Sequence, residues 1–471
     1  MRLLTPFQAS PKGFRMADPT RQSVLFPALL SKPVLVNFDE PQLTSDGGAL
    51  LIKAIDGRLG LTASLMGELL DRRQAAKVQH SLLDLFRQRV YGLVCGYADV
   101  NDVSRIGHDP LHKGMLGRDP LADSDLASQP TLSRFENAMS ETDLYRISDA
   151  FLDLVLDRHR RRLRKVRQVT IDMDPTVDPT HGQQELAFYN GHYQSWCYQP
   201  MPCFVTFGKE SEQYLVATAL RPGTAPAKEG AIAILRRVIE GTRCRFRQAK
   251  ILVRLDGGFA SPEIFDFLEA EGVDYVVAMA RNSVLERRSR RLLGTARRLS
   301  RESGRSEALF GQTLYAAQSW KGTKRRMVYK AEVVRLGDRD PRDNCRYVVT
   351  NLQLTPRNVY QVYRQRGDVE NRIKELKEDL YLDRTSCSRF LANQLRVLMT
   401  AAAYALLQEL RLKLKRTSLA HAQVATLRLK LLKIGGRLER SARRICLHLS
   451  ASHPWAGDWT TAARAVGALS P

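Results

Sequence analysis

The stretch Lys250-Ile-Leu-Val-Arg-Leu-Asp256, followed by Gly257 and Gly258, reads as a buried β-strand that ends in a turn. A short, almost continuous apolar run of this length favours a strand covered on both faces. The two glycines let other groups approach the last residue closely. We therefore expect Asp256 to lie at the carboxyl end of a strand, where ligand sites of α/β sheets collect.

A second strand carries two more acids. Val169-Thr-Ile-Asp-Met-Asp174 alternates, and Pro175 and Pro179 then break the pattern. Asp172 and Asp174 are two residues apart, so both are expected on the same face. Helical patterns from Ala231 and from Ser261 alternate with strands, including Asp274-Tyr-Val-Val-Ala-Met279. This alternation predicts an α/β layer.

A long helix is predicted from Pro356 to roughly Leu380, and it carries a third acid, Glu370. Counted from Tyr363, the residues Arg366, Glu370 and Lys377 follow at three, seven and fourteen positions. At about 100° per residue they share one narrow face, beside an apolar stripe. A carboxylate flanked by cations suits a phosphate backbone held across a metal site. A salt-bridged amphipathic helix is the alternative interpretation.

Two strand-end aspartates and a helix glutamate are the groups that two-metal phosphoryl chemistry needs. Such sites hold two Mg²⁺ ions roughly 3.5–4 Å apart, one activating the nucleophile and one stabilising the leaving oxygen. His181, His192 and Tyr193 follow the first acids along the chain. Because Mg²⁺ prefers oxygen ligands, we expect these histidines to support a hairpin or contact DNA instead.

The composition points to a polyanionic partner. The 471 residues include 73 Lys+Arg and 50 Asp+Glu, a formal net charge of +23. Each neutralised phosphate of a nucleic acid releases a counterion and adds affinity. A membrane surface is the other anionic partner, and we expect no apolar run long enough to span one.

The seven cysteines include no Cys-x-x-Cys pair, so reduced thiols are expected. The N-terminal residues do not have the pattern of an export signal, so we expect a cytoplasmic, nucleoid-associated protein. Either Met1 or Met16 could be the first residue.

The composition and the predicted secondary structure change several times along the chain, and these changes suggest domain boundaries. The predicted units are a poorly ordered leader (1–35), a helical DNA-binding domain (36–165), a core in two parts (166–281 and 344–450), a β-rich insertion (282–343) and a C-terminal tail (451–471).

These motifs together resemble a known family. The spacing Tyr363-(2)-Arg366-(3)-Glu370-(6)-Lys377 is similar to the YREK signature of DDE-type insertion-sequence transposases. Five neighbourhoods agree with it, namely Leu-Thr-Ser-Asp-Gly-Gly-Ala at 43–49, Ser-Gln-Pro-Thr at 128–131, Ile-Asp-Met-Asp-Pro-Thr at 171–176, Arg-Leu-Asp-Gly-Gly-Phe-Ala at 254–260 and Val-Val-Thr-Asn-Leu at 348–352. The likeness is closest to the insertion-sequence group numbered thirteen-eighty. It covers nearly the whole chain after about residue 35.

The resemblance implies a fold and a set of roles. The fold is a ribonuclease-H-like core, a mixed sheet flanked by helices, with an N-terminal helical domain and a β-rich insertion. Asp174, Asp256 and Glu370 would bind two Mg²⁺ ions, or Mn²⁺ as a substitute, with Asp172 as the rival first acid. The implied DNA contacts are Tyr363, Arg366, Lys377 and, as a base-stacking candidate that could equally be insertion packing, Trp320.

The implied activity is DNA transposition. A homodimer would bind the terminal inverted repeats in double-stranded DNA, hydrolyse the end phosphodiesters and join the freed 3′-hydroxyls to target DNA. Two other functions remain open at this point: a catalytically inactive DNA-binding regulator, and a ribonuclease-H-like nuclease that needs no inverted repeats.

Overall fold

The protein is described here from a computed structural model that covers residues 23–27, 30–320, 322–337 and 339–469. Most of the predicted leader, including both candidate start methionines, lies outside these residues. The described part of the leader begins with a small antiparallel pair, in which β1 (Val24–Phe26) pairs with β2 (Val34–Val36).

The centre of the fold is an eight-stranded mixed sheet. Its order is β12-β13-β14-β11-β10-β4-β8-β9. The strands are β4 (Gln168–Met173), β8 (Met201–Phe207), β9 (Tyr214–Ala219), β10 (Lys250–Leu255), β11 (Asp274–Met279), β12 (Glu307–Tyr315), β13 (Arg325–Val334) and β14 (Arg342–Thr350). Strand β10 runs parallel to both β4 and β11, and the other pairs are antiparallel. The predicted α/β layer is thus present, with a mixed sheet.

The apolar runs of β4 and β10 explain why these strands lie centrally. In each strand every residue after the first is buried, as expected when helices cover both faces of a sheet. The connections run through α8 (Ala231–Arg245) and α9 (Pro262–Ala270). Ser261 caps α9, and Pro262 occupies its first turn, as the sequence predicts.

Helices dominate the chain before β4. They are α1 (Leu50–Leu59), α2 (Leu61–Gly67), α3 (Leu82–Cys95), α4 (Val100–Arg105), α5 (Pro110–Met115), α6 (Gln129–Asn137) and α7 (Glu141–Arg162). Their apolar faces do not form a separate core. One cluster of buried side chains runs from Ala49 to Val466 and includes residues from the central sheet, while a smaller cluster on β10, β11, β13 and β14 packs against Val359. The predicted 36–165 unit therefore shares its core with the rest of the chain.

The element that joins the two parts is α13 (Phe390–Lys413), which packs against α1, α3, α7 and β9. By length and composition alone this helix could cross a membrane, which differs from our expectation that no such run exists. However, 78% of its most apolar window is buried inside the protein. Its hydrophobicity is that of a helix covered by protein on nearly all sides.

The stretch predicted as a β-rich insertion, residues 282–343, begins with a long helix instead. This helix, α10 (Ser283–Ser303), contains the arginine-rich segment, and Asn282 caps it. Strands β12, β13 and β14 follow, and β14 pairs with β11 of the core. The strands of this region therefore extend the central sheet rather than form a separate ribbon.

The rest of the chain closes the structure around α13. It includes α11 (Pro356–Arg364), α12 (Asp368–Lys374), α14 (Val424–Leu427), β15 (Gly436–Arg440), β16 (Ile445–Leu449) and α15 (Ala456–Ala465). Strands β15 and β16 form a three-stranded sheet with β3 (Leu43–Thr44). The predicted tail contains α15, where the Trp459 indole donates to the Gly48 carbonyl at 3.3 Å. The C-terminal region is thus docked on the first helices.

A third small sheet lies between β4 and β8 in the sequence. Its order is β5-β7-β6, formed by β5 (Asp178–Pro179), β6 (Phe188–Asn190) and β7 (Ser195–Tyr198). We call residues 188–198 the aromatic hairpin.

Candidate active site

Two acids meet at one edge of the central sheet. Asp174 is the first residue after β4, and Asp256 is the first residue after β10. Because β4 and β10 are parallel neighbours, their carboxyl ends lie side by side. The Asp256 carboxylate accepts a hydrogen bond of 2.9 Å from the Gly258 amide, which fixes it at the start of a 3₁₀ turn. The sequence prediction of two strand-end carboxylates at one edge agrees with this geometry.

Asp172 lies in a different environment from Asp174. Its side chain is fully buried, and it accepts two hydrogen bonds from Arg254, of 2.8 and 2.6 Å, and one of 3.2 Å from Gln213. Burial raises the pKa of Asp172, and the guanidinium of Arg254 opposes that rise. Arg254 also donates to the Val362 carbonyl at 3.0 Å. Asp172 thus belongs to a buried ion pair that ties two strands to α11.

The third acid is carried by the predicted long helix, which is continuous but not uniform. Thr355 caps α11, and Pro356 begins it, as predicted. A 3₁₀ turn at Gln365–Gly367 separates α11 from α12, and a π-helical turn at Glu375–Asp379 follows. The uniform 100° spacing assumed from the sequence is therefore interrupted twice. Glu370 lies exposed in the first turn of α12.

Arg366 occupies the 3₁₀ turn and points into the site. Its side chain is 9% exposed, and its Nη2 lies 2.8 Å from Asp174 Oδ2. The contact is an ion pair that engages Nη2, whereas Nε is buried with no hydrogen-bond partner among the described residues. Buried donors without acceptors are costly, and an anionic ligand would satisfy them.

The pKa of Asp174 reflects the charges of the other two acids. Burial raises the pKa of Asp174 to about 6, Arg366 opposes the rise, and the negative charges of Asp256 and Glu370 add to it. Like charges disfavour ionisation of a neighbouring carboxyl group. The three groups are thus close enough to interact, and a bound cation would relieve their repulsion.

The three acids are not preassembled at ligand spacing. Within the described part of the chain, the group whose ligand atoms all lie within 4.8 Å of one another is Asp46, Cys95 and His112, a buried cluster away from this site. There Asp46 is held by His112 at 2.9 Å and by Lys433 at 2.7 Å. The donor set at the sheet edge nevertheless fits a hard divalent cation such as Mg²⁺, since all three groups offer carboxylate oxygens.

The other two residues of the helix motif lie on either side of Glu370. Tyr363 is partly buried, and burial raises its pKa, as do the charges of Asp256 and Asp174 nearby. Lys377 lies in the π-helical turn, where its ammonium is 3.8 Å from Asp383. Tyr363 and Arg366 thus border the acids, whereas Lys377 borders a separate acidic pair.

That pair includes Asp178, which the sequence analysis did not single out. The side chain is fully buried, Thr385 donates to its Oδ2 at 2.6 Å, and its Oδ1 has no partner among the described residues. Burial raises the pKa of Asp178 to about 7, Asp383 adds to the rise, and Lys377 opposes it. Its only sequence signal is its position four residues after Asp174.

Trp320, the candidate for base stacking, lies in the interior. It is 7% exposed and packs edge-on against Phe265, with ring centroids 5.3 Å apart, and against Tyr315 at 6.2 Å. A base could reach the indole only if this packing opened. His181 and His192 are exposed, and the His192 ring contacts Tyr193 on the turn of the aromatic hairpin.

Carboxylates at the ends of two neighbouring strands and on a following helix offer the oxygen ligands that metal-dependent phosphoryl transfer uses. The family model described as "Transposase DDE domain group 1" matches residues 26–470. The chain therefore belongs to this family of DDE-domain transposases. A search of curated proteins finds no match for the chain.

Proposed function

We propose that the protein is the DNA transposase of an insertion sequence, with Asp174, Asp256 and Glu370 as its catalytic and metal-binding residues. The protein binds the terminal inverted repeats, hydrolyses the end phosphodiesters and joins the 3′-hydroxyls to target DNA. The observation that carries this proposal is that Asp256 and Glu370 both raise the pKa of Asp174, while the buried guanidinium of Arg366 lies beside the same carboxylate. That combination suits cations and a phosphate together.

The carboxylates and Arg366 have distinct tasks in this proposal. Divalent cations, Mg²⁺ or Mn²⁺ and two in number, would supply activation of the attacking oxygen and stabilisation of the leaving one. Asp174, Asp256 and Glu370 would hold them. Arg366 is ion-paired with Asp174, and its buried Nε has no hydrogen-bond partner among the described residues. It would bind a non-bridging oxygen of the scissile phosphate and orient it for in-line attack.

Asp172 has no such task. Its oxygens already accept three hydrogen bonds from Arg254 and Gln213, so binding a cation would leave a buried guanidinium without its partner. This favours Asp174 as the first acid. The contacts of Trp320 likewise favour a packing role, and we leave it out of the proposed DNA contacts.

Tyr363 and Lys377 are proposed to contact the DNA backbone on either side of the acids. The charges of Arg366 and Asp256 act on the pKa of Tyr363, so its hydroxyl is proposed to donate to a phosphate that enters between these groups. The Lys377 side chain is partly exposed, and its one ion-pair contact within the described residues is long, 3.8 Å to Asp383, which leaves the ammonium able to reach a neighbouring phosphate.

Double-stranded DNA is the proposed partner, and α10 offers a surface for it. Arg287, Arg290, Arg291, Arg298 and Arg301 are exposed and fall within an arc of about 100° on this helix. We call these five residues the arginine stripe. Arg298 pairs with Glu302, whereas the other four have no ion-pair partner among the described residues. The opposite face packs on β12, β13 and β14.

The remaining parts of the proposal concern the sheet, the assembly and the cell. We propose that the sheet around β4 and β10 is a ribonuclease-H-like core, that the signature helix places the protein near the thirteen-eighty group, and that a homodimer holds the two ends. A nucleoid-associated position in the cytoplasm would follow from that activity. The net charge of +23 supports the DNA partner.

The test is cleavage of labelled DNA carrying the ends of the element, with Mg²⁺ or Mn²⁺. Wild type should cut at the ends, and Glu370→Gln should bind them without cutting. Glu378→Gln is the matched control, because Glu378 is an exposed carboxylate of the following turn, whose contact with Lys374 is 3.7 Å. End binding without cleavage by wild type would indicate an inactive DNA-binding regulator. Cleavage that ignores the ends would indicate a nuclease.

A further inference from the structure

The aromatic hairpin exposes an unusual concentration of rings. Its residues Phe188-Tyr-Asn-Gly-His-Tyr-Gln-Ser-Trp196 include four aromatic residues in nine, against 7% in the whole chain. The exposed fractions are 57% for Trp196, 53% for Tyr189, 41% for Phe188 and 38% for Tyr193. Exposing so many rings together forfeits burial free energy, which indicates a surface that binds something.

The hairpin backbone is anchored, so these rings stand on a fixed base. Asn190 Oδ1 accepts from the amide of His192 at 3.0 Å, and Asn190 Nδ2 donates to the Gly223 carbonyl at 2.8 Å. A Cβ on Gly223 would lie 2.1 Å from the Cys197 carbonyl oxygen, so only glycine permits this close approach. The hairpin is therefore held tightly against the loop that follows β9.

Two of the exposed rings lie next to each other, in positions suited to stacking. Tyr189 and Trp196 are cross-strand partners with ring centroids 6.4 Å apart. Cross-strand neighbours project on one face of a hairpin, so the two rings form a single aromatic surface. Two faces of this size are the kind of platform on which nucleic-acid bases stack, whatever their sequence.

The position of the aromatic hairpin indicates which part of the bound DNA would reach it. The pKa of Tyr193 is raised by burial and then by the negative charge of Asp174, with a further contribution from Asp256. Strand β7 of the hairpin also pairs with β5, which begins four residues after Asp174, so the hairpin lies beside the strand end that carries this acid. DNA positioned for cleavage there would pass the exposed rings.

The chemistry of the hairpin favours a base over an apolar protein partner. From Phe188 to Trp196 there is no acidic residue to repel a phosphate and no exposed aliphatic side chain. Amide and hydroxyl groups from Gln194 and Ser195 are interspersed with the rings. Aromatic faces combined with neutral hydrogen-bonding groups are typical of single-stranded nucleic-acid sites.

We infer that Trp196 and Tyr189 stack on an unpaired base of the DNA strand that enters the site of Asp174 and Asp256. This inference rests on the proposed function, and it adds the form of the DNA: a duplex with at least one base unpaired beside the bond that is cut. The platform is formed by the hairpin after β4, not by Trp320.

The test compares two metal-free probes, a short blunt duplex and the same duplex with a single-stranded 3′ extension containing 2-aminopurine. Wild type should prefer the extension by roughly tenfold and quench its fluorescence. Trp196→Ala should lose most of the preference and the quenching, and Trp196→Phe should retain most of both. Tyr145→Ala is the matched control, because Tyr145 is a ring of similar exposure, 56%, on α7.

The outcomes separate this inference from the proposed function. If wild type binds both probes equally, or if Trp196→Ala keeps the preference, the stacking inference is wrong while the transposase proposal stands. If wild type binds neither probe, DNA is not the partner and both fail. Since Trp196 is mostly exposed, we expect unchanged melting temperatures for the variants, so a loss of preference reports on binding.

Discussion

Asp172 and Asp174 are two residues apart, yet the structure gives them opposite surroundings. Asp172 is enclosed and paired with Arg254, whereas the Asp174 side chain is 16% exposed beside Arg366 and two other acids. A carboxylate whose oxygens are all engaged contributes to folding, and one with repelling neighbours is available to a cation. The difference arises because β4 ends at Met173, between the two residues.

We expect Asp172→Asn to lower the free energy of unfolding by about 3 kcal/mol, because it leaves the Arg254 guanidinium buried without its counter-charge. Asp174→Asn should change it by less than about 1 kcal/mol, since the lost ion pair is offset by relief of repulsion, and should abolish cleavage. Urea denaturation of both variants measures the first effect, and end cleavage the second. A stable, inactive Asp172→Asn beside an active Asp174→Asn would make Asp172 the first acid.

At the scale of elements, the helix motif and α10 have complementary roles. The 3₁₀ turn between α11 and α12 turns Arg366 inward, so the motif presents a buried cation and an exposed acid rather than one flat face. A tighter turn at this point places a guanidinium where a regular helix would present a different side chain. Helix α10 instead keeps its cations outside, which suits contact with DNA beyond the cut bond.

The arginine stripe predicts how binding responds to salt. Replacing Arg287, Arg290 and Arg291 with Gln should weaken binding to a duplex of arbitrary sequence at least tenfold at low salt. The slope of log affinity against log salt should shrink by about 0.9 for each arginine that contacts a phosphate. Fluorescence anisotropy over a range of salt concentrations measures both quantities.

The control removes the same charge from cations that already have acidic partners. Arg73, Arg243 and Arg281 lie 2.6, 2.5 and 2.9 Å from carboxylates, and replacing all three with Gln should leave the salt slope nearly unchanged. Equal effects of the two triple variants would mean that net charge, rather than the stripe, governs binding.

At the scale of the whole molecule, α13 makes one folding unit of two predicted domains. Its side chains contact α1, α3 and α7 on one side and β9 on another. Removing it would expose the apolar faces of the N-terminal helices to water, at about 25 cal/mol for each Å² uncovered. The N-terminal helices and the sheet therefore depend on the same central helix.

We expect the full chain to unfold in one cooperative transition, and the isolated fragment 36–165 to show helical circular dichroism without a sharp melting transition. Differential scanning calorimetry measures the transitions, and far-ultraviolet circular dichroism measures the helix content of the fragment. As a control, the intact chain can be cut at an engineered protease site at Arg164 and Lys165, which are exposed. The two pieces should stay associated, since α13 remains between them. A sharp transition of the isolated fragment would instead establish an autonomous N-terminal domain.

Local patterns predicted much of the frame on which the site is built. The strands that end near Asp174 and Asp256, the helix that begins at Pro356, and the capped start of α9 were all readable, because period-two alternation, apolar runs and capping residues act within a few positions. The helix over the arginine-rich stretch 283–303 was missed. Its apolar face becomes evident only where it packs on β12 and β13.

The sequence by itself determined which residues could carry the chemistry, since the acids, the helix motif and the positive charge are properties of residue type and spacing. Only the tertiary structure decided which of them are free to act. Arg254 reaches Asp172 from 82 positions away, Phe265 covers Trp320, and the aromatic hairpin keeps Trp196 exposed. Burial, ion pairing and electrostatic range depend on distances between elements remote in sequence, and those distances arise only when the sheet and α13 assemble.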